Sequence, residues 1–280
     1  MEFQTLSSGG QSYVVSIAGE GPDIVLLHGF PDTPYSWSEI EAELVRAGWR
    51  VSVAWLRGYH PDTIVPGRGY DPETIGRDAL GLLDAIGASE AVLVGHDWGA
   101  LIAYNAASLA PERIRALVTI AIPHPSVLQR SPAAIWAVRH FFALKLPWSA
   151  RICSRNDFAY LERLYRRWAP SWSGPAREES LAAVKQALST QATLEGAIGY
   201  YRDLPLGGPP PAVARVPAVP GLIVGGTEDL ADANLFTRTA ELMPALSRAL
   251  LVDGAGHWPH REQEALVMDE LQQFLAQIRA

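Results

Sequence analysis

The chain has 280 residues, of which 48% are hydrophobic and 19% are charged, and its formal net charge is −7. This composition excludes a disordered or collagen-like protein and supplies enough apolar side chains for a large core. The negative net charge disfavours nucleic-acid binding, and the single cysteine excludes an internal disulfide and a cysteine-based metal site.

The N-terminal residues lack the basic and apolar regions of a signal peptide. No apolar run is long enough for a transmembrane helix. We therefore expect a cytoplasmic protein that has neither a membrane nor a nucleic acid as partner.

Strands and helices alternate in the first 123 residues. The patterns predict strands over 23–28, 50–55, 91–95 and 114–122, and helices over 36–48, 73–87 and 98–109. This alternation is typical of βαβ units, and the continuous apolar strands indicate a mostly parallel sheet with both faces covered.

The pattern changes after Pro123, because no strand is predicted from 124 to 208 and the helices there are rich in aromatic residues. A stiff, proline-rich linker follows over 206–211. Strands over 221–225 and 248–252 then alternate with helices over 232–242 and 262–278. We therefore predict an α/β core over 1–123 and 211–280, interrupted by a helical cap over 124–210.

Residues 95–99, Gly-His-Asp-Trp-Gly, lie where a predicted strand meets a predicted helix. The glycines allow a sharp turn that lifts the central side chain out of the sheet. The central residue is Asp97, whose carboxylate is ionised at neutral pH and can attack an electrophilic carbon to form an ester. The alternative is that Asp97 only caps the N-terminus of the following helix.

Other motifs supply the partners that such a nucleophile needs. His257 lies in a glycine-rich loop after the last predicted strand, and Asp229 follows the strand before it. The chain order is therefore nucleophile, acid and histidine. The backbone N–H groups of Phe30 and Trp98 are the candidate donors of an oxyanion hole.

These motifs together resemble the α/β-hydrolase superfamily and, within it, the soluble epoxide hydrolases that use an aspartate nucleophile. The matching segments span the whole predicted core and are residues 28–37 (His-Gly-Phe-Pro-Asp-Thr-Pro-Tyr-Ser-Trp), 56–59 (Leu-Arg-Gly-Tyr), 94–99, 226–229 and 254–257. The resemblance implies the α/β-hydrolase fold, with a helical cap inserted in the core.

The resemblance also implies a two-step mechanism. Asp97 would open the oxirane and form an alkyl-enzyme ester, which water activated by His257 would then hydrolyse. Some relatives place the acid after the strand that precedes the cap, but residues 119–130 contain no Asp or Glu. This favours Asp229, with Glu228 and Asp232 as alternatives.

In these relatives two cap tyrosines donate hydrogen bonds to the oxirane oxygen. Tyr201 matches the second of them, with a purely structural aromatic as its alternative reading. The first normally precedes a proline by seven residues, and counting back from Pro147 gives His140. A His/Tyr pair occurs in a minority of epoxide hydrolases, and an imidazole N–H is a competent donor.

The implied ligand is a small molecule, an apolar or aryl epoxide, with no cofactor and no metal, and the chain is expected to be a monomer or a homodimer. A haloalkane or haloacid dehalogenase is the first alternative, because it uses the same ester chemistry. A non-hydrolytic binding or biosynthetic protein on this fold is the second. The basic stretch between Arg130 and Arg167 is read as a solvated face or as a means of attracting an acidic substrate.

Overall fold

The computed structural model describes residues 1–65, 69–128, 131–206, 208 and 210–279, without the side chains of residues 133 and 134. Within these residues, strands β1 to β8 are Phe3–Ser8, Gln11–Ala18, Asp23–Leu27, Arg50–Ala54, Ala91–His96, Ile114–Ile120, Gly221–Gly226 and Arg248–Val252. They form one sheet in the order β1-β2-β4-β3-β5-β6-β7-β8. The pairs β1–β2 and β2–β4 are antiparallel, and the pairs from β4–β3 to β7–β8 are parallel.

Helices α1 to α12 of the described residues are Ser38–Arg46, Pro72–Ile86, Trp98–Leu109, Pro132–Ala137, Arg139–Leu144, Ser149–Cys153, Arg155–Trp168, Pro175–Ala187, Gln191–Asp203, Ala233–Leu242, Pro259–Glu262 and Glu264–Arg279. Helices α2, α3 and α10 cover one face of the sheet, and helices α1 and α12 cover the other.

Successive residues of the central strands point to opposite faces of the sheet. In β3, Val25 and Leu27 join the cluster beneath α2 and α3, whereas Ile24 and Leu26 join the cluster beneath α1 and α12. Both faces are therefore apolar, which confirms the predicted mostly parallel sheet flanked by helices.

Helices α4 to α9, here called the helical segment, lie between β6 and β7 in the chain. The first turn of α7 is irregular, because Asn156, Asp157 and Phe158 have φ values of 50°, 54° and 59°. The predicted linker over 206–211 includes residues 207 and 209, which lie outside the described residues. None of the described helices is long and apolar enough to cross a membrane.

The N-terminal hairpin is absent from the sequence-based prediction, which begins with the strand at residue 23. Strands β1 and β2 pair in register from Phe3 with Ser16 to Ser8 with Gln11. Gly9 and Gly10 form the turn with φ values of 56° and 76°, which glycine adopts without strain. This two-glycine turn was the available signal for the hairpin.

Candidate active site

The turn between β5 and α3 presents Asp97 in a conformation that an ordinary residue rarely adopts, with φ 52° and ψ −116°. Its glycines are required by close backbone contacts. A Cβ atom on Gly95 would overlap the backbone of Gly99, and one on Gly99 would overlap the carbonyl oxygen of Leu27. The Asp97 side chain makes no capping hydrogen bond to α3, so it is available at the end of the sheet.

The loop after β3 holds one oxygen of this carboxylate. The backbone N–H of Phe30 donates to Oδ1 of Asp97 at 2.8 Å. His28 stabilises the same loop, because its Nδ1 lies 3.0 Å from the carbonyl oxygen of Gly29 and its Nε2 accepts from the N–H of Leu56. Burial lowers the pKa of His28 to about 4, so its ring is neutral and its tautomer is fixed by these contacts.

His257 lies between two carboxylates. Its Nε2 is 3.4 Å from Oδ2 of Asp97, and its Nδ1 is 2.9 Å and 3.1 Å from the two oxygens of Asp229. The neighbouring carboxylates point elsewhere: Glu228 accepts from the hydroxyl of Ser171, and Asp232 caps α10. Of the three acids considered, Asp229 is therefore the one that contacts the histidine.

The charged groups of this site shift the pKa values of their neighbours. Burial alone would lower the pKa of His257, but the charges and hydrogen bonds of Asp229 and Asp97 outweigh burial and raise it to about 10. Burial alone would raise the pKa of Asp97, yet the hydrogen bond and charge of His257 bring it below its ordinary value. The position of the His257 ring between two carboxyl groups therefore favours its protonated form.

The helical segment supplies the opposite wall of the site, with His140 on α5 and Tyr201 on α9. Their ring centroids are 5.9 Å apart, and Tyr201 lies 5.2 Å from Phe30. The Tyr201 hydroxyl and Nδ1 of His140 are buried and have no acceptor or donor in normal hydrogen-bond geometry. Burial raises the pKa of Tyr201 and lowers the pKa of His140 to about 3, while the charge of Asp97 acts on both.

Trp98 begins α3, at the end of the helix where negative charge is favoured. Its ring lies 5.0 Å from that of Tyr201, and its indole nitrogen is buried without a partner in normal hydrogen-bond geometry. The structure therefore brings all seven sequence-predicted residues to one region: Asp97, His257, Asp229, Tyr201, His140, Phe30 and Trp98.

Trp168, at the C-terminal end of α7, is a site residue that sequence reasoning missed. Its carbonyl oxygen accepts a hydrogen bond from the backbone N–H of His257 at 2.9 Å. Its ring lies 4.9 Å from His257 and 4.6 Å from His140. No local motif marks this residue, because the contact joins two segments that are distant in the chain.

A second polar cluster lies behind His257. Nε2 of His96 is 2.8 Å from the carbonyl oxygen of His257, and Nδ1 of His96 is 3.4 Å from Oδ2 of Asp32. His260 stacks on Trp37 with ring centroids 4.7 Å apart. Among the described residues, Asp32, His96 and His260 are the group whose ligand atoms approach one another closely enough, within 4.8 Å, to hold a metal ion.

Comparisons with known proteins identify the family to which the chain belongs. A family model described as the alpha/beta hydrolase fold matches residues 22–263. The chain is 30% identical to an epoxide hydrolase of Caballeronia sordidicola, covering 98% of this chain and 94% of that protein. It is also 30% identical to epoxide hydrolase A of Mycobacterium tuberculosis, covering 92% of each. The solved structure of the epoxide hydrolase CorEH shares the fold, with a TM-score of 0.84, 22% identity and 99% of each chain covered.

Proposed function

Because this enzyme belongs to the α/β-hydrolase family, we propose that it hydrolyses an epoxide to a vicinal diol through a covalent ester on Asp97. The observation that carries the proposal is the pair of buried groups opposite the triad, the Tyr201 hydroxyl and Nδ1 of His140, neither of which has a partner in normal hydrogen-bond geometry. An enzyme that hydrolyses an ester substrate does not need such a pair of donors, whereas the oxygen of an opening oxirane needs hydrogen-bond donors. The relatives that are named epoxide hydrolases support the same substrate class.

In the first step a carboxylate oxygen of Asp97 attacks a ring carbon, and the carbon–oxygen bond of the oxirane breaks. The lowered pKa of Asp97 keeps the nucleophile ionised. Tyr201 and His140 donate hydrogen bonds to the oxygen, and one of them transfers the proton that turns the alkoxide into an alcohol. Both groups hold a proton at neutral pH, because burial raises the pKa of Tyr201 and keeps His140 a neutral imidazole.

Before the second step His257 gives its proton to the donor that protonated the alkoxide, and then, as a neutral imidazole, it removes a proton from water, which attacks the ester carbonyl of Asp97. The tetrahedral intermediate collapses with cleavage of the bond to the alkyl oxygen, and the added hydroxyl's proton passes to this leaving oxygen. The diol departs, Asp97 is again a carboxylate, and His257 keeps the proton taken from water.

The N–H of Phe30 already donates to an oxygen of the Asp97 carboxyl group, and with the N–H of Trp98 it stabilises the oxyanion. Esterification removes the negative charge of Asp97, which is one cause of the raised pKa of His257. The imidazolium therefore becomes a better acid after the first step, and its deprotonated form becomes available as the base.

The helical segment acts in this proposal as the cap over the substrate. Phe141, Trp168 and Tyr201 give it an aromatic inner surface, with Phe141 and Tyr201 5.0 Å apart. Such a surface favours apolar or aryl epoxides over charged ones.

The proposal is tested with His257→Gln, which should form the ester but fail to hydrolyse it. After incubation with styrene oxide, intact-protein mass spectrometry should show one adduct of substrate mass, mapped to Asp97. The matched control is Glu228→Gln, because this adjacent carboxylate contacts Ser171 instead of the histidine. That variant should turn over normally without an adduct. A folded His257→Gln protein without an adduct, when the wild type consumes the epoxide, would contradict the two-step mechanism.

The second candidate function is that of a haloalkane or haloacid dehalogenase with the same ester on Asp97. The observation that favours it is the buried, unpartnered indole N–H of Trp98, which can donate to a leaving halide. Haloalkane dehalogenases usually carry an asparagine at the position of Phe30, so this residue argues against the dehalogenase function. Halide release from a bromoalkane, without turnover of styrene oxide, would select this alternative.

A further inference from the structure

Helices α4 to α6 and the short segments that join them expose an unusual number of apolar side chains. We call these exposed side chains the outer patch, and they are Ile135, Trp136, Val138, Phe142, Leu146, Trp148 and Ile152. Trp136 and Trp148 are 68% and 56% exposed. Single exposed apolar residues are ordinary, but seven within eighteen consecutive residues call for an explanation.

These exposed side chains are not core residues left outside by imperfect packing. In α5, His140 and Leu144 are one turn apart and both are buried. Phe142 lies between them in the chain, so it projects from the opposite side of the helix, where it is 51% exposed. The wall that carries His140 therefore has an aromatic group on its outer surface.

The same part of the chain is positively charged. Residues 131–167 contain seven Lys or Arg and two Asp or Glu, so they carry +5, whereas the chain as a whole carries −7 and the remainder −12. Both acids are already paired, Asp157 with Lys185 and Glu162 with Arg166. Arg139 stacks over the ring of Trp136 at 4.3 Å, and Arg151 and Arg155 are exposed.

We propose that the outer patch docks on the surface of an anionic phospholipid bilayer. Exposed Trp and Phe rings insert at the boundary between headgroups and acyl chains, and neighbouring Arg side chains bind the lipid phosphates. The helices would lie on the membrane without crossing it, which agrees with the finding that no described helix is long and apolar enough to span one. This proposal revises the sequence-based expectation that the protein has no membrane partner.

Charge decides between the bilayer and other occupants of the patch. A second copy bound symmetrically through this patch would bring together two segments that each carry a net charge of +5, which is unfavourable. Single-stranded nucleic acid would use the aromatic rings and arginines. However, Ile135, Leu146 and Ile152 are aliphatic and offer it no stacking surface, whereas they suit the acyl chains of a bilayer. An anionic bilayer is complementary to both the apolar and the basic groups.

The test is sedimentation with vesicles of phosphatidylcholine, with and without phosphatidylglycerol, using the full chain. Wild type should bind the anionic vesicles more tightly, and added salt should weaken the binding. The double variants Trp136→Ser/Trp148→Ser and Arg151→Glu/Arg155→Glu should each weaken it by about tenfold or more. The matched controls change similarly exposed residues elsewhere, Leu242→Ser/Leu266→Ser and Arg46→Glu/Arg77→Glu, and should bind as wild type does. Far-ultraviolet circular dichroism identifies any variant that fails to fold.

These readouts do not depend on the reaction that the enzyme catalyses. Brominated lipids should quench tryptophan fluorescence in wild type but not in Trp136→Phe/Trp148→Phe, because these are the two exposed tryptophans of the described chain. Failure of wild type to bind either vesicle would overturn the proposal. A dimer in sedimentation velocity that Trp136→Ser/Trp148→Ser dissociates, without vesicle binding, would replace the bilayer by a second copy. Binding of a single-stranded oligonucleotide without vesicle binding would replace it by nucleic acid.

Discussion

The two walls of the active site are held in different ways. The core wall, made of Asp97, His257 and Asp229, is fixed by hydrogen bonds and ion pairs, from the Phe30 amide at 2.8 Å to the Asp229 carboxylate at 2.9 Å. The helical wall, made of His140 and Tyr201, is held by aromatic packing, and the Tyr201 hydroxyl and Nδ1 of His140 have no partner in normal hydrogen-bond geometry. The difference fits the roles proposed for the two walls. The charged groups must be preorganised for the attack and for the oxyanion, whereas the neutral donors must stay free to bind the substrate oxygen.

The largest effect is expected at the core wall. Asp97→Ala should reduce epoxide turnover by a factor on the order of 10⁶, as is typical when a nucleophile is removed. Steady-state kinetics on styrene oxide measures the loss. Asp232→Ala is the control, because this carboxylate caps α10 away from the site and its loss should cost about 1 kcal/mol of stability without loss of turnover. Substantial turnover by folded Asp97→Ala would show that the core wall does not carry the nucleophile.

Asp229→Asn should affect mainly the second step, the hydrolysis of the ester. The carboxylate raises the pKa of His257 and holds its Nδ1, so its removal should slow ester hydrolysis by about 10³- to 10⁴-fold and alkylation much less. The ester should then accumulate on Asp97 during turnover, which quench-flow mass spectrometry measures. If Glu228→Gln causes accumulation and Asp229→Asn does not, the acid is assigned to the wrong residue.

Tyr201→Phe should affect only the first step. The variant keeps the ring that packs against Phe30 and Trp98 but loses the hydroxyl, and single-turnover alkylation should fall by about 10²- to 10³-fold. Turnover of a p-nitrophenyl ester should be nearly unchanged, because this reaction needs no protonated alkoxide. Equal losses on both substrates would mean that Tyr201 serves the packing of the site instead of ring opening.

The smallest effect is expected from His140. Burial lowers its pKa to about 3, so its imidazole is already neutral at pH 5 and does not change as the pH rises further. Its contribution to alkylation should therefore be constant from about pH 5 to about pH 8. His140→Gln retains an N–H donor and should lose about tenfold or less in single-turnover alkylation. A rate that declines as the pH rises through about 6.5 would instead indicate a protonated donor.

Sequence patterns predicted most of the structure that depends on local residues, although they missed the hairpin of β1 and β2. The elbow around Asp97 follows from the spacing of Gly95 and Gly99, and helix α3 begins and ends as predicted. The motifs also gave the resemblance to α/β-hydrolase epoxide hydrolases that the comparisons confirm. The predicted cap boundaries and the catalytic roles stay predictions.

What the sequence could not provide were contacts between distant segments. The hydrogen bond from His257 to the Trp168 carbonyl joins residues 89 positions apart, and neither residue belongs to a pattern that includes the other. The cluster of Asp32, His96 and His260 likewise draws on three separate parts of the core, namely the loop after β3, the end of β5 and helix α11. Periodicity identifies which residues are buried, but it does not identify which buried residues meet.

The attachment of the helical segment limits how a substrate can enter. Besides the Trp168 carbonyl on the His257 amide, the Tyr165 hydroxyl donates to the carbonyl of Pro31 at 2.9 Å, and the Tyr200 hydroxyl donates to that of Arg57 at 3.0 Å. Lifting the segment as one rigid lid would break all three bonds, including the one that holds the backbone of His257. We therefore expect the substrate to enter through a local displacement of the short helices α4 and α5, while α7 and α9 stay in place.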